Sequence, residues 1–340
     1  RLFSKNFLRN IARLEYTKTL ADVAKTVSKP LLVLGAGEGL DTLSYSSFSP
    51  HDFFIITVDA ALSPLLARNI TPDAVVTMES QIAIEKTFLG AKNKNILLFA
   101  DLCARPEATK ILGGNIIWFA TKYADGIFFD NLKKESVIRN FIEPMGSVGL
   151  AATYIALKIR SSSSIPVFIA GLDFSYSIGT THAKDTMALK QRFINSNRLT
   201  PIENYDAAFS MSTQTVISKN GKKICSTKIL LQYAQQFKLM FQNEKNLFDC
   251  SSTGIKLGIP QRNLFATKGN LQKEKCESHK NISSFCEKEK RKLEELRSLL
   301  SDGEKSPFRN NLPEKLSLSK QIKKIAEEYY SIPKHERNGR

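Results

Sequence analysis

Asp173, Tyr176 and His182 sit close together in GLDFSYSIGTTHA (171–183). An acid, a phenol and an imidazole at that spacing can orient, hydrogen-bond and protonate a departing anionic group. They follow an apolar run, Val167 to Ala170 after Pro166, whose unbroken hydrophobicity predicts a strand buried on both faces of a parallel sheet. Gly171 ends the run. Ligands of open parallel sheets bind beyond the carboxyl ends of strands, so the trio is the candidate catalytic set. Each member also has a plain structural explanation: Asp173 as a turn cap, Tyr176 as packing, and His182 as one surface histidine of four.

Two glycine-bearing turns supply candidate phosphate contacts. In GAGEGLD (35–41), Gly35, Gly37 and Gly39 follow the apolar run LLVL. Glycine there lets backbone approach a phosphate, and a helix opening at Leu40 would aim its free amides at it. The spacing GxGxG is not the dinucleotide pattern GxGxxG, and a tight turn explains the glycines equally well. In GSVGLAATYIAL (146–157), Ser147 and Gly149 precede a predicted helix. They form either an anion site at its N-terminus or a serine cap contributing about 1 kcal/mol. Asp59, Glu79 and Asp101 end the next three apolar runs, as ribose or magnesium ligands or as caps. GxxxxGK[ST], HExxH and GxSxG are absent from the sequence, which argues against ordinary P-loop kinases, zincins and serine hydrolases.

The elements that must position these residues read as an alternation. Short apolar runs at 31–35, 53–59, 74–79, 95–101, 115–120 and 165–171 are separated by helix-length or loop-length segments. That pattern predicts an α/β, Rossmann-like domain with a mainly parallel sheet and flanking helices. Residues 2–27 read as a helix ended by Pro30, and 229–242 as an amphipathic helix. Asn220-Gly221 between β-prone runs predicts a hairpin within 212–233. The expected organisation is an N-terminal helical segment (1–29), a nucleotide-binding transferase domain (30–265) and a charged helical or partly mobile tail (266–340).

The net charge of +16 is concentrated in the flanks, where residues 1–30 carry seven Lys/Arg against two acids and residues 265–340 eighteen against twelve. EKEKRKLEELRSLL (287–300) mixes both signs, as a solvated helix face does, and lacks the aromatics of single-strand binders. A nucleic-acid partner is therefore not expected. The five cysteines are widely spaced with no CxxC pair, so neither a disulfide framework nor a zinc site is indicated. No apolar run reaches the roughly 18–20 residues of a membrane span, and no signal-peptide core is evident; a cytoplasmic protein is expected.

VLGAGEGLD (33–41), VDAALSPLLARNITPDAVVTMESQ (58–81), LFADL (98–102), GSVGLAATYIAL (146–157) and GLDFSYSIGTTHA (171–183) together resemble the 6-hydroxymethylpterin diphosphokinase-like family, whose bacterial members include the motility accessory factors. The resemblance covers about residues 1–265. GSVGLAATYIALKI and VFIAGLDFSY are also similar to a segment of bacterial sialyltransferases. That similarity implies Ser147 and Gly149 at a donor nucleotide, Tyr176 at its phosphate, and His182 in the place of a second tyrosine. The family resemblance implies a glycosyltransferase carrying a nonulosonic (sialic-like) sugar from a CMP-activated donor to flagellin. The alternatives are ATP-dependent pyrophosphate transfer with magnesium on Asp59, Glu79 and Asp101, or a lapsed enzyme kept as a flagellar assembly partner. The sequence departs from the family's GxGPS loop at Glu38 and Gly39, putting a carboxylate where repulsion of a phosphate is expected.

Overall fold

Leu31 to Leu34 pair with strands on either side and are buried throughout, which is why that stretch is apolar at every position. The computed structural model describes residues 2–264, except 15–16, 44–48, 93, 113–114, 124–126, 139–140 and 202–212, and beyond them residues 291 and 294. The strands are β1 (Lys18–Thr19), β2 (Leu31–Leu34), β3 (Phe54–Val58), β4 (Ala74–Thr77), β5 (Leu97–Asp101), β6 (Ile116–Thr121), β7 (Phe141–Ile142), β8 (Val167–Ala170), β9 (Thr213–Ile217), β10 (Lys223–Thr227) and β11 (Leu247–Asp249). The helices are α1 (Leu2–Ile11), α2 (Asp59–Ala67), α3 (Ala108–Ile111), α4 (Ile127–Lys134), α5 (Val148–Ile159), α6 (Met187–Asn195) and α7 (Lys228–Phe241).

Nine strands form one sheet in the order β1-β6-β5-β4-β3-β2-β8-β11, with β7 also on β6. Every pairing in it is parallel. The chain runs outward from β2 through β6, then returns to lay β8 on the other side of β2. The β2/β8 boundary is therefore a topological switch point, the place where open α/β sheets bind ligands. Apolar clusters cover the sheet, with Phe168, Ile155 and Phe237 in one and Trp118, Phe88 and Leu62 in the other.

Two expectations need correction, and one strand is new. The N-terminal helix stops at Ile11 rather than near residue 27. Its buried Asn6 and Asn10 amides are spent on the carbonyls of Ser80, Cys103, Leu102 and Ala104, and Thr19 and Asp22 then form a capping box that opens a 3-10 turn. No α-helix opens at Leu40; Glu38–Leu40 is one 3-10 turn. Strand β11, three residues long, was not anticipated. The Asn220-Gly221 hairpin is present as β9 and β10, with Gly221 at φ +80°. The boundary at 265 and the tail beyond it lie outside the described residues, apart from residues 291 and 294.

Candidate functional site

Beyond β2 and β8 the two segments touch through their backbones. Gly35 N–H donates to Ala170 O and Gly37 N–H to Gly171 O, both at 2.8 Å. A Cβ on Gly35 would meet Leu172 Cδ2 at 2.5 Å, and one on Gly149 would meet the same atom at 2.5 Å. One leucine side chain thus fills the space between the glycine loop and the start of α5. Gly171 itself turns at φ +71°, and its N–H is held by Ser251 Oγ at 2.9 Å. These glycines are required by close packing, the role of the third glycine in dinucleotide folds.

Asp173 lies under the loop, 2% exposed, and its Oδ2 accepts the Gly39 N–H at 2.5 Å. A Cβ on Gly39 or Gly254 would strike its Oδ1 at 2.6 or 2.8 Å, and one on Gly37 would strike Oδ2. Burial pushes its carboxyl up to about 6, against the Gly39 hydrogen bond and the nearby Lys219, which act in the other direction. Lys219, just ahead of the hairpin turn, has a side chain 1% exposed and pairs with Asp249 Oδ2 at 2.5 Å. Burial raises Asp249 too, with Lys219 opposing.

The expected roles shift accordingly. Asp173 faces Gly39 and the lysine, with no hydrogen bond to Tyr176 or His182, so it positions the glycine loop rather than orienting the other two. The N–H groups of Gly35, Gly37 and Gly39 are all spent within the protein, so the expected amide cradle for phosphate is not formed by them. Glu38 turns to the loop after β8, accepting Ser177 N–H and Ser177 Oγ–H at 2.9 Å each. It acts as a clamp between the two loops rather than as a charge aimed at a phosphate.

Tyr176 and His182 lie on the loop that continues from Asp173. Ala183 N–H donates to Ala36 O at 2.8 Å and Lys184 N–H to Asp41 Oδ2 at 2.8 Å, tying this loop to the one after β2. Tyr176 is 2% exposed, buried although it lies on a loop. Its backbone exchanges two hydrogen bonds with Cys225 of β10, which pulls it under the hairpin. Its hydroxyl has no hydrogen-bond partner among the described residues, and burial raises its pKa. His182 is half-buried, its Nδ1 3.0 Å from Thr181 Oγ1. Burial first, and the Arg192 guanidinium second, lower its pKa. Arg192, on α6, donates to Thr181 Oγ1 at 2.6 Å. Thr181 carries no signal in the sequence because a polar residue on an irregular segment has no periodicity to betray it, and Arg192 reads as an ordinary polar residue of a short helix.

Ser147 caps α5, its Oγ accepting Gly149 N–H at 3.2 Å. The acids at the other strand ends are engaged in local hydrogen bonds. Asp59 accepts from Thr77 Oγ1 and Ala60 N–H, both at 2.8 Å. Asp101 accepts from Cys103 N–H at 2.7 Å and from Thr121 Oγ1 at 2.5 Å. Glu79 accepts Gln81 N–H at 2.8 Å. Each buried Asp–Thr pair pins one strand end to its neighbour, and no group of three His, Cys, Asp or Glu suited to a metal occurs among the described residues. The expected magnesium set of Asp59, Glu79 and Asp101 is therefore not assembled. The cavity lined by Leu14, Trp118, Tyr154 and Lys158 contains none of the candidate residues.

Asp59 provides a pH prediction. Burial raises its carboxyl to about 6, so between the unfolded value near 4 and the folded value the native state binds more protons. Its contribution to stability is full below the unfolded value and lost as pH rises through about 6. Asp59→Asn keeps an oxygen for Ala60, and its amide can donate to a reoriented Thr77 hydroxyl. Stability measured from about pH 4.5 to 7.5 should fall less steeply in this variant than in wild type, the slopes differing by at most about 1.4 kcal/mol per pH unit, the value for one proton. Parallel curves would show that the carboxylate is not desolvated.

A family model described as 6-hydroxymethylpterin diphosphokinase MptE-like matches residues 5–179, just over half of the chain. Two proteins of Treponema pallidum (strain Nichols), each described as an uncharacterized protein, are similar in sequence. One is 34% identical over 238 residues, 69% of this chain and 41% of its own length. The other is 27% identical over 198 residues, 58% of this chain and 41% of its own. The chain thus spans less than half the length of these relatives. Among solved structures, a MAf glycosyltransferase from Magnetospirillum magneticum AMB-1 has a TM-score of 0.51 at 13% identity, over 99% of this chain and 52% of that one. At that identity the likeness is one of fold.

Proposed function

The chain belongs to the 6-hydroxymethylpterin diphosphokinase MptE-like family, and from that premise we propose that it is a nucleotide-dependent transferase of the motility accessory factor kind. In this reading it moves a nonulosonic, sialic-like sugar from a CMP-activated donor to a Ser or Thr of flagellin. The observation that carries the reading is the buried Tyr176 hydroxyl with no partner among the described residues, on the loop that also holds His182 beside a switch point. The fold shared with a solved MAf glycosyltransferase supports it. As the bond from sugar to phosphate breaks and the acceptor hydroxyl bonds to the sugar, negative charge grows on the departing CMP. The Tyr176 O–H and the His182 imidazole are the donors that would meet that charge. Ser147 and Gly149, at the start of α5, would receive the nucleotide, while Asp173 and Glu38 hold the glycine loop in place.

Pyrophosphate transfer from ATP is the second reading, favoured by the name of the family and disfavoured because Asp59, Glu79 and Asp101 form no three-ligand metal group among the described residues. No described helix is long and apolar enough to cross a membrane. Calorimetric titration with CMP, CDP and ATP, with and without magnesium, separates the readings. CMP binding that does not need magnesium is expected. Binding of ATP alone, and only with magnesium, would replace the glycosyltransferase with the diphosphokinase. No binding of any of the three would leave the assembly-partner reading.

A further inference from the structure

Thr181 stands between a guanidinium and an imidazole. Arg192 Nη1 donates to Thr181 Oγ1 at 2.6 Å, and the same oxygen lies 3.0 Å from His182 Nδ1. A guanidinium has donors only, so toward Arg192 the threonine oxygen must accept. Its own proton needs another recipient, and His182 Nδ1 is the remaining side-chain atom bonded to that hydroxyl among the described residues. We propose that Thr181 donates to His182 Nδ1, so that Arg192 and Thr181 act as positioning residues holding His182 as the neutral imidazole with its proton on Nε2.

The opposite tautomer is the poorer arrangement. With the proton on Nδ1, Thr181 would accept twice and its hydroxyl proton would have no acceptor among the described residues, in a half-buried site, which weakens that arrangement. The charged imidazolium is disfavoured by the same burial and by the guanidinium of Arg192, which act together to lower the pKa of His182. Among the described residues, Arg192 from α6, Tyr176 from the loop after β8 and Cys225 from β10 are charged or titratable groups that this corner brings together. The consequence concerns substrate class. His182 then presents an N–H and no lone pair at Nε2, and Tyr176 presents an O–H, so both groups offer donors near a fixed positive charge. Such a pair recognises an oxyanion, such as a phosphate oxygen, and does not deprotonate an incoming hydroxyl. The substrate class rests on the transferase reading above; the tautomer does not.

The test is ¹⁵N–¹H correlation NMR of the imidazoles in the full chain, with ¹⁵N-histidine and His182→Gln to assign the resonance. At neutral pH, His182 should show a protonated Nε2 and an unprotonated Nδ1. Thr181→Val should release it to a tautomer mixture and slow CMP release from a donor by about tenfold or more, while Thr181→Ser restores both. Thermal melts and circular dichroism confirm that each variant is folded. A wild-type spectrum with the proton on Nδ1, or a cationic ring at neutral pH, would overturn the proposal, as would an unchanged spectrum in Thr181→Val. A correct tautomer in a protein that binds no nucleotide would leave this inference standing and sink the transferase reading alone.

Discussion

Replacing His182 with Ala, or Tyr176 with Phe, is expected to slow transfer by about 10²–10⁴-fold, the usual contribution of a positioned proton donor, while the protein stays folded. Tyr176→Phe is the cleaner of the two. The ring is buried and is kept, and the hydroxyl removed has no partner among the described residues, so no described hydrogen bond is broken and a desolvated donor is deleted. Melting should be unchanged or slightly raised. His182→Ala removes a half-buried ring bonded through one nitrogen to Thr181, a modest structural loss. Both effects should appear in kcat rather than in nucleotide affinity, because a donor that meets developing charge contributes mainly in the transition state. Ser147→Ala belongs to the opposite class, since its hydroxyl caps α5 and sits where the nucleotide would be received. Donor hydrolysis measured beside melts on the same preparations decides the matter. Full turnover by His182→Ala would return His182 to an ordinary loop residue.

Lys219→Ala should be among the most destabilising single changes in the described residues, at about 3–5 kcal/mol, the range for breaking a buried ion pair from one side. The lysine side chain is 1% exposed and Asp249 2%. Removing the ammonium leaves Asp249 buried with only the Ser251 N–H as a described donor, and strips Asp173 of its favourable neighbour. Both carboxyl values would then rise further, so the variant's deficit should shrink as pH falls through the acid range and the two groups take up protons. Lys222→Ala, on an exposed position of the same turn, is the matched control and should change stability by no more than about 0.5 kcal/mol. Chemical denaturation at about pH 5 and pH 8 reads both predictions. Equal, small effects for the two lysines would mean that Lys219 is solvated.

The strands were legible where burial is two-sided. LLVL, AVVT and VFIA are apolar at almost every position because a central parallel strand meets helices on both faces. The convergence of Gly37, Ser147 and Asp173 at one edge of the sheet was legible for a related reason: each follows or precedes such a strand by a few residues or by one helix. What stayed hidden depends on partners far away in sequence. Leu247–Asp249 is too short to show a period. Lys219 sits in SKNGKK, which reads as a solvent turn, and only the carboxylate of β11 makes it a core residue. Glu38 looked like a threat to a phosphate because its partner, Ser177, is 139 residues away. The inward turn of Asp173 was equally unreadable, since its cage is built by Gly37, Gly39 and Gly254.

The β2/β8 boundary has a further consequence, for the order in which the molecule acquires its parts. Strands β2 to β6 are joined to their neighbours by the next stretch of chain, so each can pair as soon as its predecessor is in place. The seam between β2 and β8 must instead wait for a closure across more than a hundred residues, as the 134-residue separation of Gly39 and Asp173 shows. Closure entropy grows only as the logarithm of length, so the final structure bears little extra cost, but long-range pairing is slow to form. The corner that holds Tyr176 and His182 therefore depends on that late closure: a sheet that lacks β8 has the glycine loop without the aspartate that braces it.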